Sequence, residues 1–290
     1  MKKKTICILA VASAAVLLFG GVYLLTKDDI AQRKAENELT SFEPSVAVQN
    51  MLDYTVSDTT TDTDTSIKNT SELTLTEDTT TAETSETILN PQVNVLSPEV
   101  CEELMKQAQE LQETYPDAIG WIYIPDTNIN YPIMQGEDND FYLTHSADGR
   151  SLKSGCIELD YRCENRFQNN FNILYGHNMK NGSMFANVCR FRDKSYYDRH
   201  PYGWVYTSDA VYRLDFFSVA VTDWHDEIYN GYREVSEWIP RLKEISRIYE
   251  NAELTEQDRL VLLSTCSYEF ENARTVLTGK LVKMEGDMNE

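Results

Sequence analysis

The C-terminal two-thirds of this chain predicts a mainly β fold, a closed barrel of about eight strands with a few appended helices. Three observations carry that expectation. Short apolar runs recur between Ile119 and Lys283, bounded by Gly, Pro, Asn and Asp, as strands joined by turns are. Few segments there have helical spacing. The roughly 190 residues from 98 onward hold most of the aromatics, enough for one compact core, and closing the sheet removes its exposed edges.

Three regions precede or form this unit. Lys2, Lys3 and Lys4 stand before Thr5–Leu25, a 21-residue stretch without charge. An apolar helix of about 20 residues spans a bilayer core, and the lysines hold residues 1–4 on the cytoplasmic side. Residues 5–25 are therefore expected to be a transmembrane signal-anchor, with a cleaved signal peptide as the alternative. Either way the remainder lies outside the cytoplasm. Residues 26–97 form the second region. Asp28–Leu39 can extend a helix out of the membrane. Residues 42–97 then carry ten acidic residues and one basic residue, Lys68, with 14 threonines between Thr55 and Thr87. Such a composition buries too little apolar surface to offset its ordering entropy. It is expected to be a flexible acidic stalk, extended by its own charge.

The third region, 98–290, is the folded domain. Ser97 caps a helix to Tyr115, with Val100, Leu104, Ala108 and Leu111 on one face. Ile119–Ile124 and Ile129–Met134 read as paired strands across Pro125-Asp126-Thr127-Asn128. Further strands are expected at Gly155–Leu159, Asn172–Gly176, Tyr202–Thr207, Val211–Val221, Leu260–Cys266 and Arg274–Lys283. A short helix is expected at Ser183–Cys189. A longer one is expected at Ser236–Tyr249, where Trp238, Ile239, Leu242, Ile245 and Ile248 share a side.

Charge and motifs narrow the chemistry. The net charge of −21 argues against nucleic-acid binding, which needs a basic face, and no glycine-rich phosphate loop is present. A cationic partner or a substrate amine is compatible with the acidic excess. No Cys/His spacing suits zinc. Outside the membrane segment lie five cysteines, Cys101, Cys156, Cys163, Cys189 and Cys266, an odd number that leaves at least one thiol free in a monomer.

Cys266 ends the apolar run Leu260-Val261-Leu262-Leu263-Ser264-Thr265, and Arg274 opens the next strand eight residues on. If the two strands pair, Cys266 and Arg274 meet at one barrel end. A thiol nucleophile needs a partner that tunes it, and an oxyanion needs a cation or an N–H donor. His177 follows another apolar strand in Tyr175-Gly176-His177-Asn178-Met179, and supplies the acid or base of a Cys/His arrangement. His145, His200 and His225 read as loop residues. The bland alternative makes Cys266 a small buried hydrophobe and Arg274 a surface residue.

Together, Leu263-Ser264-Thr265-Cys266 with Arg274, and Tyr175-Gly176-His177-Asn178-Met179, resemble a class B sortase, a membrane-anchored cysteine transpeptidase of Gram-positive cell surfaces. Gly120-Trp121-Ile122, Tyr131–Gly136, Asn139–Leu143 and Ser154–Asp160 extend the similarity over about residues 98–284. The helix before the cysteine strand fits class B rather than class A. The stalk matches nothing in the family. The resemblance implies that Cys266 attacks the carbonyl after a threonine in the C-terminal sorting signal of a secreted protein. It implies His177 as acid and base, and Arg274 as oxyanion or backbone clamp. By similarity, Tyr175, Ser264, Asn139 and Leu143 line the substrate groove. An amine of peptidoglycan precursor, or of another protein, then resolves the thioacyl intermediate. No metal or organic cofactor is implied. The alternatives are an extracellular cysteine peptidase and a pilin-polymerising sortase. A non-catalytic binding module on the same barrel ranks last.

Overall fold

The computed structural model describes residues 27, 30–35, 37–54, 96–230 and 234–284. The expected membrane segment and most of the acidic stalk lie outside these residues. No helix among the described residues is long and apolar enough to cross a membrane.

Among the described residues nine strands form one sheet: β1 (Ala118–Tyr123), β2 (Asn130–Met134), β3 (Ile157–Leu159), β4 (Phe171–Tyr175), β5 (Tyr202–Tyr206), β6 (Val211–Asp223), β7 (Ser246–Tyr249), β8 (Leu260–Cys266) and β9 (Ala273–Lys283). Their order is β5-β1-β2-β3-β4-β8-β9-β6-β7, and a further β5–β6 pairing closes eight of them into a barrel. The strand β7 hangs on β6 outside that ring. The closed mainly β barrel is thus as the sequence predicts.

Alternation of side chains along the strands divides the apolar residues. The barrel interior holds Ile122, Ile133, Leu174, Val205, Leu214, Val219, Val261, Leu263 and Leu277. Helix α2 (Pro98–Thr114) covers one outer wall through Val100, Leu104, Ala108 and Leu111, against Trp121, Tyr206 and Val211. Ser97 caps it, its hydroxyl accepting from the Val100 N–H at 3.4 Å. On the wall of β4, β6, β8 and β9 sits helix α4 (Val235–Ile245), with Trp238 stacked on Phe171 at 3.7 Å between ring centroids.

Two expectations are corrected. The helix expected over Ser236–Tyr249 ends at Ile245, and Ser246–Tyr249 is β7. Ile248 keeps the helical spacing of Trp238 and Leu242, yet its backbone pairs with Val219 of β6. The helix expected at Ser183–Cys189 is a 3-10 helix at Phe185–Arg192, followed directly by the short helix α3 (Lys194–Arg199).

The inner end of the acidic stretch also differs from a free spacer. Helix α1 (Val46–Tyr54) packs on the barrel, with Leu52 fully buried. The Leu52 carbonyl accepts from the Tyr202 hydroxyl at 2.9 Å and from the Trp204 indole at 3.3 Å. Asp53 accepts from the Tyr123 hydroxyl at 2.7 Å. Upstream, Gln32 donates to Ser183 at 3.0 Å, and Glu38 pairs with Arg150. Charge counts over a long window conceal a few apolar residues at helical spacing. Leu52→Ala is expected to cost about 2–5 kcal/mol, as for other buried leucines, read by denaturant unfolding. A change below about 0.5 kcal/mol, the usual surface value, would show that this helix adds nothing to stability.

Candidate active site

On one face of β4 lie Phe171, Ile173 and Tyr175, and on the same face of β8 lie Leu260, Leu262, Ser264 and Cys266. The lower members are covered by α4 and β6. Toward the strand ends the side chains turn polar, and the apolar packing opens into a groove. Because β4 and β8 are parallel, with Tyr175 opposite Ser264, both chains leave the sheet on the same side. The antiparallel partner β9 places Arg274 directly opposite Cys266. Three neighbouring strands thus deliver His177, Cys266 and Arg274 to one barrel end.

Hydrogen bonds lock the histidine loop to the cysteine strand. The Gly176 N–H donates to the Ser264 carbonyl at 3.2 Å, and the Thr265 hydroxyl donates to the Gly176 carbonyl at 2.7 Å. The Asn178 amide donates to the Cys266 carbonyl at 2.8 Å. Gly176 is required by space: a Cβ there would lie 2.5 Å from Ile157 Cδ1 and 2.7 Å from the Phe185 ring. His177 Nε2 lies 2.9 Å from the Leu143 carbonyl. That bond requires the proton on Nε2 and leaves Nδ1 as the acceptor nitrogen. Arg274 is partly buried and donates to the carbonyl of Ala273 at 3.1 Å, with other guanidinium N–H groups available to the groove.

The groove is about 690 Å³, and Cys266, His177, Arg274, Tyr175, Ser264, Asn139 and Leu143 all line it. The four residues expected to bind substrate are not equally able to do so by hydrogen bonding. The Tyr175 hydroxyl donates to Asp160 at 3.0 Å, and Ser264 shares a 2.8 Å bond with the Tyr229 hydroxyl. Burial, followed by the Asp160 charge, raises the Tyr175 phenol and keeps it neutral. The Asn139 side-chain oxygen accepts from the Tyr161 N–H at 2.9 Å, so its amide N–H remains. Tyr175 and Ser264 therefore offer shape, whereas Asn139 still has donors to give.

This groove, with its Cys/His/Arg rim on a closed barrel, coincides with a family model. The Sortase domain model matches residues 122–282, more than half of the chain. The chain belongs to the sortase family, class B. Sortase B of Listeria monocytogenes is 35% identical over 186 residues, covering 62% of this chain and 76% of that protein. The Staphylococcus aureus sortase B–substrate complex superposes with a TM-score of 0.58 at 28% identity, covering 63% of this chain and 87% of that one. A Streptococcus pyogenes class B sortase involved in pilus biogenesis gives 0.56 at 28% identity, covering 60% and 97%.

The groove of this sortase also holds residues that sequence reasoning passed over: Glu158, Arg162, Trp224, His225 and Tyr229. His225, read as a loop residue, stands at the rim with Nδ1 2.7 Å from Asp223. Of the other histidines, His200 is buried, with Nδ1 2.6 Å from the Tyr196 carbonyl, and His145 stacks on Phe141. Cys101, Cys156, Cys163, Cys189 and Cys266 are all unpaired thiols. Among the described residues no His/Cys/Asp/Glu cluster could hold a metal ion.

Two buried carboxyls, Glu158 on the groove wall and Asp160 behind it, behave oppositely. Burial works against ionisation of Asp160, but Arg162 (Nη2 to Oδ2 at 2.6 Å) and the Tyr175 hydroxyl outweigh it, holding this carboxyl below the usual range. Glu158 is pushed up to about 8 by burial, with Asp138, Asp140 and Asp160 adding to the rise. A carboxyl that binds its proton more tightly folded than unfolded makes the protein less stable as pH rises from the ordinary glutamate range toward the folded value. The Tm of Glu158→Gln is therefore expected to rise above wild type progressively between pH 5 and pH 8, in thermal unfolding at each pH. A constant difference over that range would mean that Glu158 is ionised at both ends.

Proposed function

We propose that this sortase cleaves a C-terminal sorting signal of secreted proteins and transfers the acyl group to an amine of cell-wall peptidoglycan precursor. The observation that carries the reading is the convergence of His177, Cys266 and Arg274 at the ends of three neighbouring strands, on one groove.

The groove suits the chemistry in this way. The Cys266 sulfur attacks the scissile carbonyl, forming the S–C bond, while Arg274 stabilises the charge on the carbonyl oxygen. Protonated His177 gives its proton to the leaving nitrogen as the C–N bond breaks. The neutral imidazole then takes a proton from the incoming amine, which attacks the thioester and releases the Cys266 sulfur. Tyr175, Ser264, Asn139 and Leu143 flank the acyl part of the signal. Water in place of the amine would make the enzyme a peptidase, and a protein lysine would make it a polymerase of pilins. The Streptococcus pyogenes relative keeps the last reading in view.

The proposal places Thr5–Leu25 in the membrane as a single-pass anchor with the catalytic domain outside. The charge-free length and the preceding lysines support this. The experiment incubates the purified chain with a panel of sorting-signal peptides, with and without oligoglycine or a diaminopimelate-containing peptide, and analyses products by mass spectrometry. An amine-linked product supports the transpeptidase. Cleavage that ignores every amine supports the peptidase instead.

A further inference from the structure

The chain that leads into the barrel limits where the catalytic end can lie. Leu25 closes the charge-free segment, and Gln32 follows it by seven residues. Fully extended, seven residues reach at most about 25 Å. Gln32 donates to the Ser183 hydroxyl at 3.0 Å. Ser183 belongs to the turn that folds back on the catalytic histidine: Met184 bridges Asn178, and the Phe185 N–H holds the His177 carbonyl at 2.9 Å. Asn178 in turn reaches the Cys266 carbonyl. Glu38 on Arg150, Leu52 on Tyr202 and Trp204, and Asp53 on Tyr123 hold the following residues to the barrel. Leu96 is buried as well. The stretch 55–95 therefore has both its flanks on the barrel, and its length does not set the distance from Leu25 to the catalytic end.

The same end of the barrel carries exposed apolar rings. Tyr268 is 80% exposed and Phe270 48%, both in the turn between β8 and β9. Trp224, 49% exposed, stands beside that turn, its backbone N–H donating to the Asn272 carbonyl at 3.2 Å. The groove is lined by Trp224 but not by Tyr268 or Phe270, and the catalytic steps use none of the three. Charge does not account for what this patch would meet, since its acids are engaged, Asp223 by His225 and Glu269 by Arg192. Exposed rings clustered on one surface mark a contact. A ring with an apolar body and a polar tip suits the boundary between hydrocarbon and water, where Trp and Tyr collect.

We propose that this end of the barrel docks on the bilayer surface, with Tyr268, Phe270 and Trp224 at the level of the lipid headgroups. This rests on the membrane anchor at Thr5–Leu25 proposed above. The occupant follows from the chain length: with Thr5–Leu25 across the membrane, the short run to Gln32 keeps Ser183, and the turn that carries His177, close to that bilayer. The tether makes the contact intramolecular, so a few rings suffice to hold it. Cys266 then works beside the membrane face, and not at the far end of an extended stalk.

The test uses the full-length chain in phosphatidylcholine vesicles and its tryptophan fluorescence. Trp121, Trp204 and Trp238 are buried, Trp224 is half-exposed, and Thr5–Leu25 contains no tryptophan. The emission lost in Trp224→Phe is therefore the signal of Trp224. Lipid that carries a nitroxide on its headgroup is expected to quench most of that signal, and a nitroxide at the end of the acyl chain much less. In Tyr268→Ser/Phe270→Ser the headgroup quenching is expected to fall by more than half, while Tm stays at the wild-type value. A Trp224 signal that the headgroup nitroxide leaves untouched, or quenching that the double variant keeps in full, overturns the proposal. Washing the vesicles with salt and alkaline carbonate separates the two readings. If the chain stays with the lipid and Trp224 is unquenched, only this inference falls. If the chain washes off, the anchor reading falls and takes this inference with it.

Discussion

Cys266→Ala is expected to abolish both thioacyl-enzyme formation and amine transfer, down to the uncatalysed background, while leaving the fold in place. The structural reason is the position of the side chain. Cys266 terminates β8, a strand whose ladder to β9 runs unbroken from Leu260 opposite Lys280 to Cys266 opposite Arg274. Its carbonyl is held by Asn178. A methyl group fits where a partly exposed thiol stood, so circular dichroism and Tm are expected to change little. Among the residues that line the groove, Cys266 carries the one thiol. Full loss is expected in kcat, because the variant lacks the bond-forming atom rather than a binding contact. Retained turnover would move the nucleophile elsewhere.

His177→Ala is expected to lower kcat by about 10²–10⁴-fold, the range for a positioned acid–base group. KM for the peptide is expected to move much less. The loop that carries His177 is fixed by bonds from its neighbours, Gly176 to Ser264 and Asn178 to Cys266, and by the Phe185 N–H on the His177 carbonyl at 2.9 Å. None of these uses the imidazole, so removing the ring leaves the loop pinned. The one side-chain bond lost is that from Nε2 to Leu143. A pH–rate profile distinguishes the roles: the variant is expected to lose the limb that reports imidazole protonation. A variant that raises KM alone, with the profile unchanged, would make His177 a clamp for the Asn139–Leu143 loop rather than the proton carrier.

Much of this architecture is legible in the sequence because barrel strands are short apolar runs with punctuated ends. The run Leu260–Cys266 has the same bounds in sequence and structure, and so has the pairing that sets Arg274 against Cys266. What is not legible is long-range pairing. That β4 lies parallel to β8, which brings His177 beside Cys266, depends on 88 intervening residues, counted between Tyr175 and Ser264 in the register. The strand β7 escapes because Ile248 continues the spacing of α4, and only its pairing with β6 makes it extended. Glu158 is missed for a different reason. A lone acid in Cys156-Ile157-Glu158-Leu159 carries no local sign of burial, whereas β3 is paired on both sides and Glu158 lines the groove. Over residues 42–97, averaging across an acidic window hides Leu52, whose burial depends on Tyr202 and Trp204 some 150 residues away.

The most direct measurement is the partition of one thioacyl intermediate between water and amine. The purified chain is acylated with a sorting-signal peptide that it cleaves, and the adduct on Cys266 is located by mass spectrometry of the digested protein. The acceptor amine is then titrated, and ligated and hydrolysed products are counted. The account predicts an adduct on Cys266 that is consumed faster as amine is added, with ligated product replacing hydrolysed product. A Cys266 adduct that decays at one rate whatever the amine, giving only the free acid, would contradict it.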